Sequence, residues 1–229
     1  WRTGAGFVRY VGGERESDAV LARRPETVTG PDVGKTRPDA WVIGSGTDPA
    51  GRSDAEAAAL GEILSGTARV VVDAGALDLA PGSTAPLLVT PHAGEFARLR
   101  THLGLRTREG ADADRVADAV GTAETLGHTV LLKGALTIIA APDGTVLSVD
   151  TAPGWLATAG TGDVLAGVLG AFLAAQPSAP IAEVAASAAW LHGYAARLAA
   201  EMGAGGRGRP ILAMDVAEAL PRAIGDLLS

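Results

Sequence analysis

The chain has little of what marks several common classes of protein. Its 229 residues include no cysteine, which excludes disulfide bonds and thiolate metal sites and agrees with the cytoplasmic location that we expect. Aromatic residues make up only 4% of the chain, so stacking of nucleotide bases on rings is not expected to be a major binding mode. No apolar stretch reaches the roughly 20 residues of a membrane-spanning helix, and we expect no membrane partner. The net charge of −7 argues against nucleic acid as a partner.

Lysine is also scarce in this sequence. Arginine occurs 17 times and lysine only twice, so Lys133, which follows the apolar run VLL, stands out. Two explanations are open for this residue. The side chain could extend from the end of a buried strand with its ammonium group in solvent. Alternatively, it is a compact cation that contacts a phosphate group.

Apolar, β-branched runs alternate with alanine-rich helical patterns along most of the chain. Runs buried on both faces and joined by crossover helices are typical of a parallel sheet that is covered on two sides. The sequence therefore predicts one α/β domain over residues 1–229, with a largely parallel central sheet flanked by helices on both faces. The predicted strands lie within 40–46, 69–75, 86–99 and 128–134, and the predicted helices lie within 54–66, 86–99 and 111–127.

The pattern changes after residue 134. Residues 136–150 predict a β-hairpin that turns at the sequence PDG, directly after the strand that ends in KG. Three helices are predicted to follow, over 162–175, 181–201 and 215–228. The segment 203–210, rich in glycine and arginine, predicts a flexible surface connection.

The chemically distinctive motifs fall where a predicted strand ends or a helix begins. In an open parallel sheet, ligands bind outside the carboxyl ends of the strands, where loops lead into helices. Each motif alone is weak evidence, but five of them at one edge predict a single site. They are GSG at 44–46, DAGAL at 73–77, TPHAGE at 90–95, KG at 133–134 and the glycine loop AGTGD at 159–163.

Asp163 stands where the glycine loop becomes an apolar helix. Its carboxylate could be only a helix cap, because a side-chain oxygen at a helix start accepts N–H bonds that the first turn leaves unmade. Alternatively, the loop lets the backbone approach a phosphate, and the first N–H groups of the helix face that anion. In this case Asp163 would accept a proton from a substrate hydroxyl, with positioning providing most of its effect.

The TPHAGE motif also has two interpretations. Its glutamate suits the first turn of a helix, and a single histidine is more often structural than functional. In the functional interpretation, His92 binds substrate at the sheet edge. Glu95 would then lie near a hydrated Mg²⁺, which keeps several waters and needs only one or two carboxylates. His192, in the middle of a predicted helix, is interpreted as structural.

Several motifs in one order resemble those of a known family. The segments TPHAGE, LLKGALT, PDG and LATAGTGDVLAGVLGAFLA, followed by LHGYAARLA and DVAEALPRAI, resemble the ADP-dependent NAD(P)H-hydrate dehydratase family of the ribokinase-like superfamily. The resemblance extends over nearly the whole chain. It implies repair of hydrated NADH or NADPH: ADP phosphorylates the ring hydroxyl, and phosphate then leaves to restore the double bond. It also implies a homotetramer, and Mg²⁺ is the metal that we expect beside ADP.

The resemblance implies a role for individual residues of the motifs. Asp163 would be the catalytic base and a substrate contact, and His92 and Gly46 would also bind the hydrated dinucleotide. The glycine loop and the segment after the KG strand would bind the nucleotide. The implied nucleotide-binding residues are Lys133, Gly134, Ala135, Leu136, Thr137, Gly160, Thr161 and Gly162.

The sequence departs from the family pattern at three places. The family has asparagine in a TGN segment where this chain reads TAPGW from residue 151, and its DADAL segment has a second aspartate where this chain has Gly75. Family members also carry a strand and a glycine loop before the segment that opens this chain, and we expect such a portion upstream of Trp1. Two other functions remain open: a ribokinase-like kinase of a vitamin-precursor alcohol, and a non-catalytic nucleotide-binding homologue.

Overall fold

The computed structural model describes residues 1–106, 112–203 and 208–229. Residue 111 of the predicted helix and residues 204–207 of the predicted connection lie outside the described residues. The strands are β1 (Arg9–Val11), β2 (Val28–Gly30), β3 (Ala40–Ile43), β4 (Arg69–Val72), β5 (Leu87–Val89), β6 (Thr129–Leu132), β7 (Thr137–Ala140) and β8 (Val146–Val149). The helices are α1 (Glu14–Arg23), α2 (Asp54–Leu64), α3 (Ala93–His102), α4 (Asp112–Leu126), α5 (Thr161–Ala175), α6 (Ile181–Ala199) and α7 (Ala213–Leu228).

Six strands form the central sheet in the order β3-β4-β5-β6-β7-β8. Strands β3 to β6 are parallel to one another, and β7 is antiparallel to both of its neighbours. Strands β7 and β8 pair with Thr137 opposite Val149 and are joined by residues 141–145. Strands β1 and β2 form a separate two-stranded parallel sheet. The prediction of a largely parallel sheet is confirmed.

Helices cover both faces of the sheet, which explains why its central strands are apolar without interruption. Side chains along a strand point alternately to opposite faces. Val71 of β4 accordingly belongs to the core that includes residues of α5, α6 and α7. Its neighbours Val70 and Val72 belong to the second core, with residues of α2, α3 and α4. All three valines are fully buried.

Two caps fix where helices begin near the carboxyl edge of the sheet. The Ser53 hydroxyl accepts the Glu56 N–H at 3.2 Å and starts α2. Gly160, with φ of +86°, precedes the first residue of α5. This left-handed conformation is strained for other residues, so the glycine sets the direction in which α5 leaves the loop.

The helices differ in detail from the predicted ranges. Helix α3 continues to His102, three residues beyond the predicted segment, and α7 begins at Ala213, two residues earlier than predicted. Helix α6 ends at Ala199 instead of residue 201. Within the described residues, no helix combines the length and apolar character needed to cross a membrane.

Replacing Leu169 by alanine should destabilise the fold strongly. Leu169 of α5 is completely buried in the core between helix and sheet. Removing its branched end leaves a cavity, and we expect the free energy of unfolding to fall by about 3 kcal/mol. Leu228→Ala is the matched control, because Leu228 is 84% exposed and should lose about 0.5 kcal/mol or less. Urea denaturation of both variants measures the difference, and equal losses would contradict this description of the core.

Candidate active site

The residues that follow four parallel strands meet at one edge of the sheet. Ser45 follows β3, Asp73 follows β4, Thr90 follows β5 and Lys133 follows β6. The start of α5, with Asp163, reaches the same edge, since the Ser45 hydroxyl lies 2.7 Å from Asp163 Oδ1. Residues far apart in the sequence thus form one cluster where the strands end.

A buried ion pair lies at the centre of this cluster. The Lys133 ammonium is 2.7 Å from Asp73 Oδ1, and the same oxygen accepts the Thr90 hydroxyl at 2.8 Å. Asp73 is only 3% exposed, so its charge is compensated by direct partners and not by water. The Lys133 side chain is 20% exposed, so the ion pair is partly buried at the sheet edge.

The Lys133 ammonium also lies beside the first turn of α5. A Cβ atom built at Gly162 would be 3.5 Å from Lys133 Nζ, an ordinary contact. The N–H groups of Gly162 and Asp163 belong to the first turn and have no intrahelical partner. A cation and a helix N-terminus therefore point at the same space, and both favour an anion there.

Asp163 is the third residue of α5, and Gly160, not Asp163, occupies the capping position. Asp163 Oδ1 accepts the Ser45 hydroxyl, and the residue is exposed at the sheet edge. The carboxylate is thus turned towards the cluster and not into packed hydrocarbon. One oxygen, Oδ1, is oriented by Ser45, and Oδ2 would lie 4.0 Å from a Cβ atom built at Gly160.

Thr161 of the glycine loop is buried, and its polar groups bond to the loop itself. Its hydroxyl lies 2.8 Å from the carbonyl oxygens of both Leu156 and Thr158. Its N–H donates to Thr158 O at 3.3 Å. Thr161 therefore braces the loop from within, and any contact with a nucleotide would come from the neighbouring glycines.

His92 and Glu95 cap helix α3. His92 Nδ1 accepts the N–H groups of Gly94 at 3.1 Å and Glu95 at 3.4 Å, and Glu95 Oε2 accepts the His92 N–H at 2.8 Å. The same Oε2 is 3.9 Å from the Lys133 ammonium. The His92 side chain is 57% exposed, and its Nε2 atom lies 3.4 Å from Glu95 Oε1.

This arrangement limits how a metal could be held. Among residues 1–106, 112–203 and 208–229, no group of three or more His, Asp or Glu side chains is arranged for a metal ion. The oxygens of Glu95 face the His92 backbone, the His92 ring and Lys133. The carboxylates at this edge fit only a Mg²⁺ that takes most of its ligands from water and phosphate oxygens.

The segment after β6 forms an exposed turn. Gly134 and Ala135 are exposed, whereas Thr137 is buried and its hydroxyl lies 3.3 Å from Gly134 O. Arg115 of α4 donates to Leu136 O at 3.3 Å and so supports the turn.

On the opposite side of the cluster, Gly46 has φ of +79° with open space around it. All of the sequence-predicted site residues thus lie along the carboxyl edge of the sheet.

Gly44 and Gly75 allow the ends of β3 and β4 to approach closely. A Cβ atom at Gly44, where φ is +111°, would lie 1.7 Å from Asp73 O, and one at Gly75 would lie 1.7 Å from Thr47 O. No side chain fits at either place without moving the backbone. The Gly75 departure from the family pattern therefore has a local structural reason in this chain.

Three residues of the cluster were not among the sequence-predicted site residues. Ser45, Asp73 and Thr90 lie within recognised motifs. Their contacts, of Ser45 with Asp163 and of Thr90 with Asp73, join separate elements and leave no periodic signal in the sequence. The one usable signal is Asp73, a charged residue that directly follows three consecutive buried valines of β4. Such a residue is rarely buried unless it is paired.

His192 of α6 lies behind the start of α5. The residue is 6% exposed, its ring interacts with the Thr161 backbone, and its Nε2 atom has no partner within the described part of the chain. Burial lowers the pKa of His192 to about 4. The imidazole is therefore neutral at pH 7 and packs behind the glycine loop, which agrees with its structural interpretation.

The strand order, the two helical layers and the glycine-capped helix at the carboxyl edge define the ribokinase-like class of α/β protein. A ribokinase-like superfamily protein of Enterococcus faecalis shares this fold with a TM-score of 0.73 and 24% identity, over 98% of this chain and 78% of that chain. Residues 1–222 match the family model described as NAD(P)H-hydrate dehydratase. The chain belongs to the NAD(P)H-hydrate dehydratase family.

Individual relatives are similar over most of the chain. The bifunctional NAD(P)H-hydrate repair enzyme Nnr of Mycobacterium tuberculosis (strain CDC 1551 / Oshkosh) is 43% identical over 180 residues, which cover 74% of this chain and 35% of that protein. The chain spans about 35 to 42% of the length of the first bifunctional relatives that it matches. The ADP/ATP-dependent NAD(P)H-hydrate dehydratase of Bacillus subtilis, co-crystallised with ATP/Mg²⁺ and soaked with CoA, has a TM-score of 0.82 and 27% identity, over 98% of this chain and 83% of that chain.

Because the His192 ring is buried, we expect the free energy of unfolding to decrease at acid pH. The folded pKa of about 4 lies below the ordinary value of 6.5, so the unfolded chain binds the proton first. The contribution of His192 to stability is complete above pH 6.5 and is lost as the pH falls towards 4. We expect a loss of about 3 kcal/mol over this range.

Urea unfolding of the protein and of His192→Gln between neutral pH and pH 4 measures this contribution. The variant should show the shallower dependence on pH, because glutamine does not titrate. A His192 ring signal in NMR that titrates near its ordinary value would contradict the assignment.

Proposed function

We propose that this chain catalyses nucleotide-dependent dehydration of hydrated NADH and NADPH, with ADP as the phosphoryl donor. The observation that supports this proposal most directly is the joint position of Lys133, the α5 N-terminus and Asp163. The first two would form an anion site, and the third would supply a carboxylate at its edge. This is the combination that phosphorylation of a hydroxyl group requires.

In this proposal the transferring phosphate lies against the first turn of α5. The N–H groups of Gly162 and Asp163 and the Lys133 ammonium would offset the negative charge on the phosphoryl oxygens. Gly160 and Gly162 carry no side chain, so the phosphate can approach the backbone closely. The exposed turn at 134–137 would contact the remainder of the nucleotide.

Asp163 would orient the ring hydroxyl of the hydrated dinucleotide and accept its proton. The Ser45 hydroxyl bond holds one carboxylate oxygen, which fixes the direction of the other. The hydroxyl oxygen then bonds to the phosphorus, and AMP leaves. In the second step the bond between the ring carbon and the phosphate oxygen breaks, and the neighbouring ring carbon gives a proton to solvent. The electron pair of that C–H bond restores the double bond. His92 and Gly46 would bind the dinucleotide on the substrate side.

The proposal includes Mg²⁺ bound chiefly through water and phosphate oxygens. When bound, this ion would neutralise phosphate charge, and Glu95 would contact it only through water. The homotetramer implied by the family resemblance and the cytoplasmic location expected from the sequence also belong to the proposal.

The direct test is incubation of the purified protein with ADP, Mg²⁺ and hydrated NADPH. We expect the absorbance of reduced nicotinamide to return in step with AMP and phosphate release. Phosphorylation of a pyrimidine or thiazole alcohol in its place would favour the vitamin-precursor kinase. Tight binding of ADP and the hydrate in calorimetry, without turnover, would favour a non-catalytic homologue.

Asp163→Asn should remove most turnover while leaving nucleotide binding largely intact. The amide accepts the Ser45 hydroxyl but cannot take up a proton from substrate, and we expect kcat to fall by about 100-fold or more. Asp143→Asn is the matched control, because Asp143 lies in the exposed turn between β7 and β8. Steady-state kinetics and ADP calorimetry measure both effects, and undiminished turnover in Asp163→Asn would defeat the assigned role.

A further inference from the structure

Lys133 has one short contact that holds its charge in place. Its ammonium lies 2.7 Å from Asp73 Oδ1, whereas the nearest oxygen of Glu95 is 3.9 Å away. We infer that Asp73 is a positioning residue, which fixes the Lys133 ammonium where a phosphate at the α5 N-terminus needs it. The catalytic consequence rests on the proposed function, but the positioning itself rests on these contacts.

Asp73 is well placed for this task because it is itself immobile. It directly follows β4 and is 3% exposed, and the Thr90 hydroxyl donates to its Oδ1 atom at 2.8 Å. Its N–H donates to Ile43 O at 3.0 Å, and its own carbonyl occupies the space that a Gly44 side chain would need. The carboxylate is therefore anchored to strands β3, β4 and β5 together.

Lysine needs such an anchor more than most side chains do. Its ammonium is carried on a flexible four-carbon chain and has three donors. One donor is used by Asp73, and two remain for phosphate oxygens. Without the carboxylate, Lys133 would sample other rotamers or move towards Glu95.

Positioning of the lysine and simple charge attraction have different consequences when the Asp73 charge is removed. Loss of the Asp73 charge makes the site more positive, so the nucleotide should bind as well as before. The ammonium would no longer be held in the geometry that phosphoryl transfer requires, and misplacement of a reacting group is costly. We therefore expect kcat to fall and the affinity for ADP to stay nearly constant.

The test compares Asp73→Asn with a control on the same stretch of chain. Asparagine keeps the shape and a hydrogen-bonding oxygen but removes the charge. We expect its kcat to fall by about 10- to 100-fold, with the ADP dissociation constant within about threefold of wild type. Asp78→Asn breaks the 2.8 Å ion pair with Arg52 and should leave both quantities near wild type.

A double-mutant cycle with Lys133→Met shows whether Asp73 acts through the lysine. In the Lys133→Met background, Asp73→Asn should cost less than about threefold in kcat, because no ammonium is left to position. Independent, multiplicative losses would overturn the inference and assign Asp73 a structural role.

A second measurement does not depend on turnover. The chain has two lysines, so the ¹⁵N signals of the side-chain ammonium groups distinguish Lys133 from Lys35 directly. We expect the Lys133 ammonium to be ordered in wild type and as mobile as Lys35 in Asp73→Asn. Unchanged order in the variant would overturn the inference even if the protein dehydrates its substrate. Lost order in a protein without dehydratase activity would refute the proposed function alone.

Discussion

The parallel alignment of strands β3 to β6 is the constraint on which the site depends. It brings four carboxyl ends to one edge, and the residues that follow them become neighbours. Lys133 and Asp73 are 60 residues apart in the chain, and Ser45 and Asp163 are 118 apart, yet each pair is 2.7 Å apart in space. The antiparallel strand β7 runs the other way and adds its own residues to this edge only at its beginning. The cluster is thus a consequence of strand direction, and no local segment contains it.

The two buried faces of the sheet make this edge rigid. Strands β4 to β6 are buried on both sides, so the backbone positions from which Asp73, Thr90 and Lys133 extend are held by dense packing. Helix α5 is anchored in the same core by Leu169, and its first turn points at the edge. Burial then decreases outwards, from Asp73 through Lys133 to the exposed Asp163. The charges that hold the geometry are therefore inside, and the carboxylate assigned to proton transfer faces solvent.

Much of the fold could be predicted from the sequence because its parallel strands are largely apolar runs that are followed by glycine, aspartate, threonine or lysine. The unit β1–α1–β2 could not, since its strands have only three residues each and are not buried. The edge at which the site lies could also be predicted, because ligands of parallel sheets bind at the carboxyl ends of the strands. The partnership of Asp73 with Lys133 did not follow, because contacts between strands depend on register and not on spacing along the chain. The position of Glu95 in the first turn of α3 could be predicted from the adjacent sequence, because that contact is local. Its distance to Lys133, on another element, could not.

The central claim is that a phosphate binds between the Lys133 ammonium and the first turn of α5. A crystal structure with Mg²⁺ and an ADP analogue that cannot transfer its phosphoryl group tests this most directly. We expect the terminal phosphate within hydrogen-bond distance of Lys133 Nζ and the Gly162 N–H, with Asp163 beside it and Asp73 still paired to the lysine. A nucleotide bound with its phosphates away from this turn, with the ion pair facing empty solvent, would contradict the account.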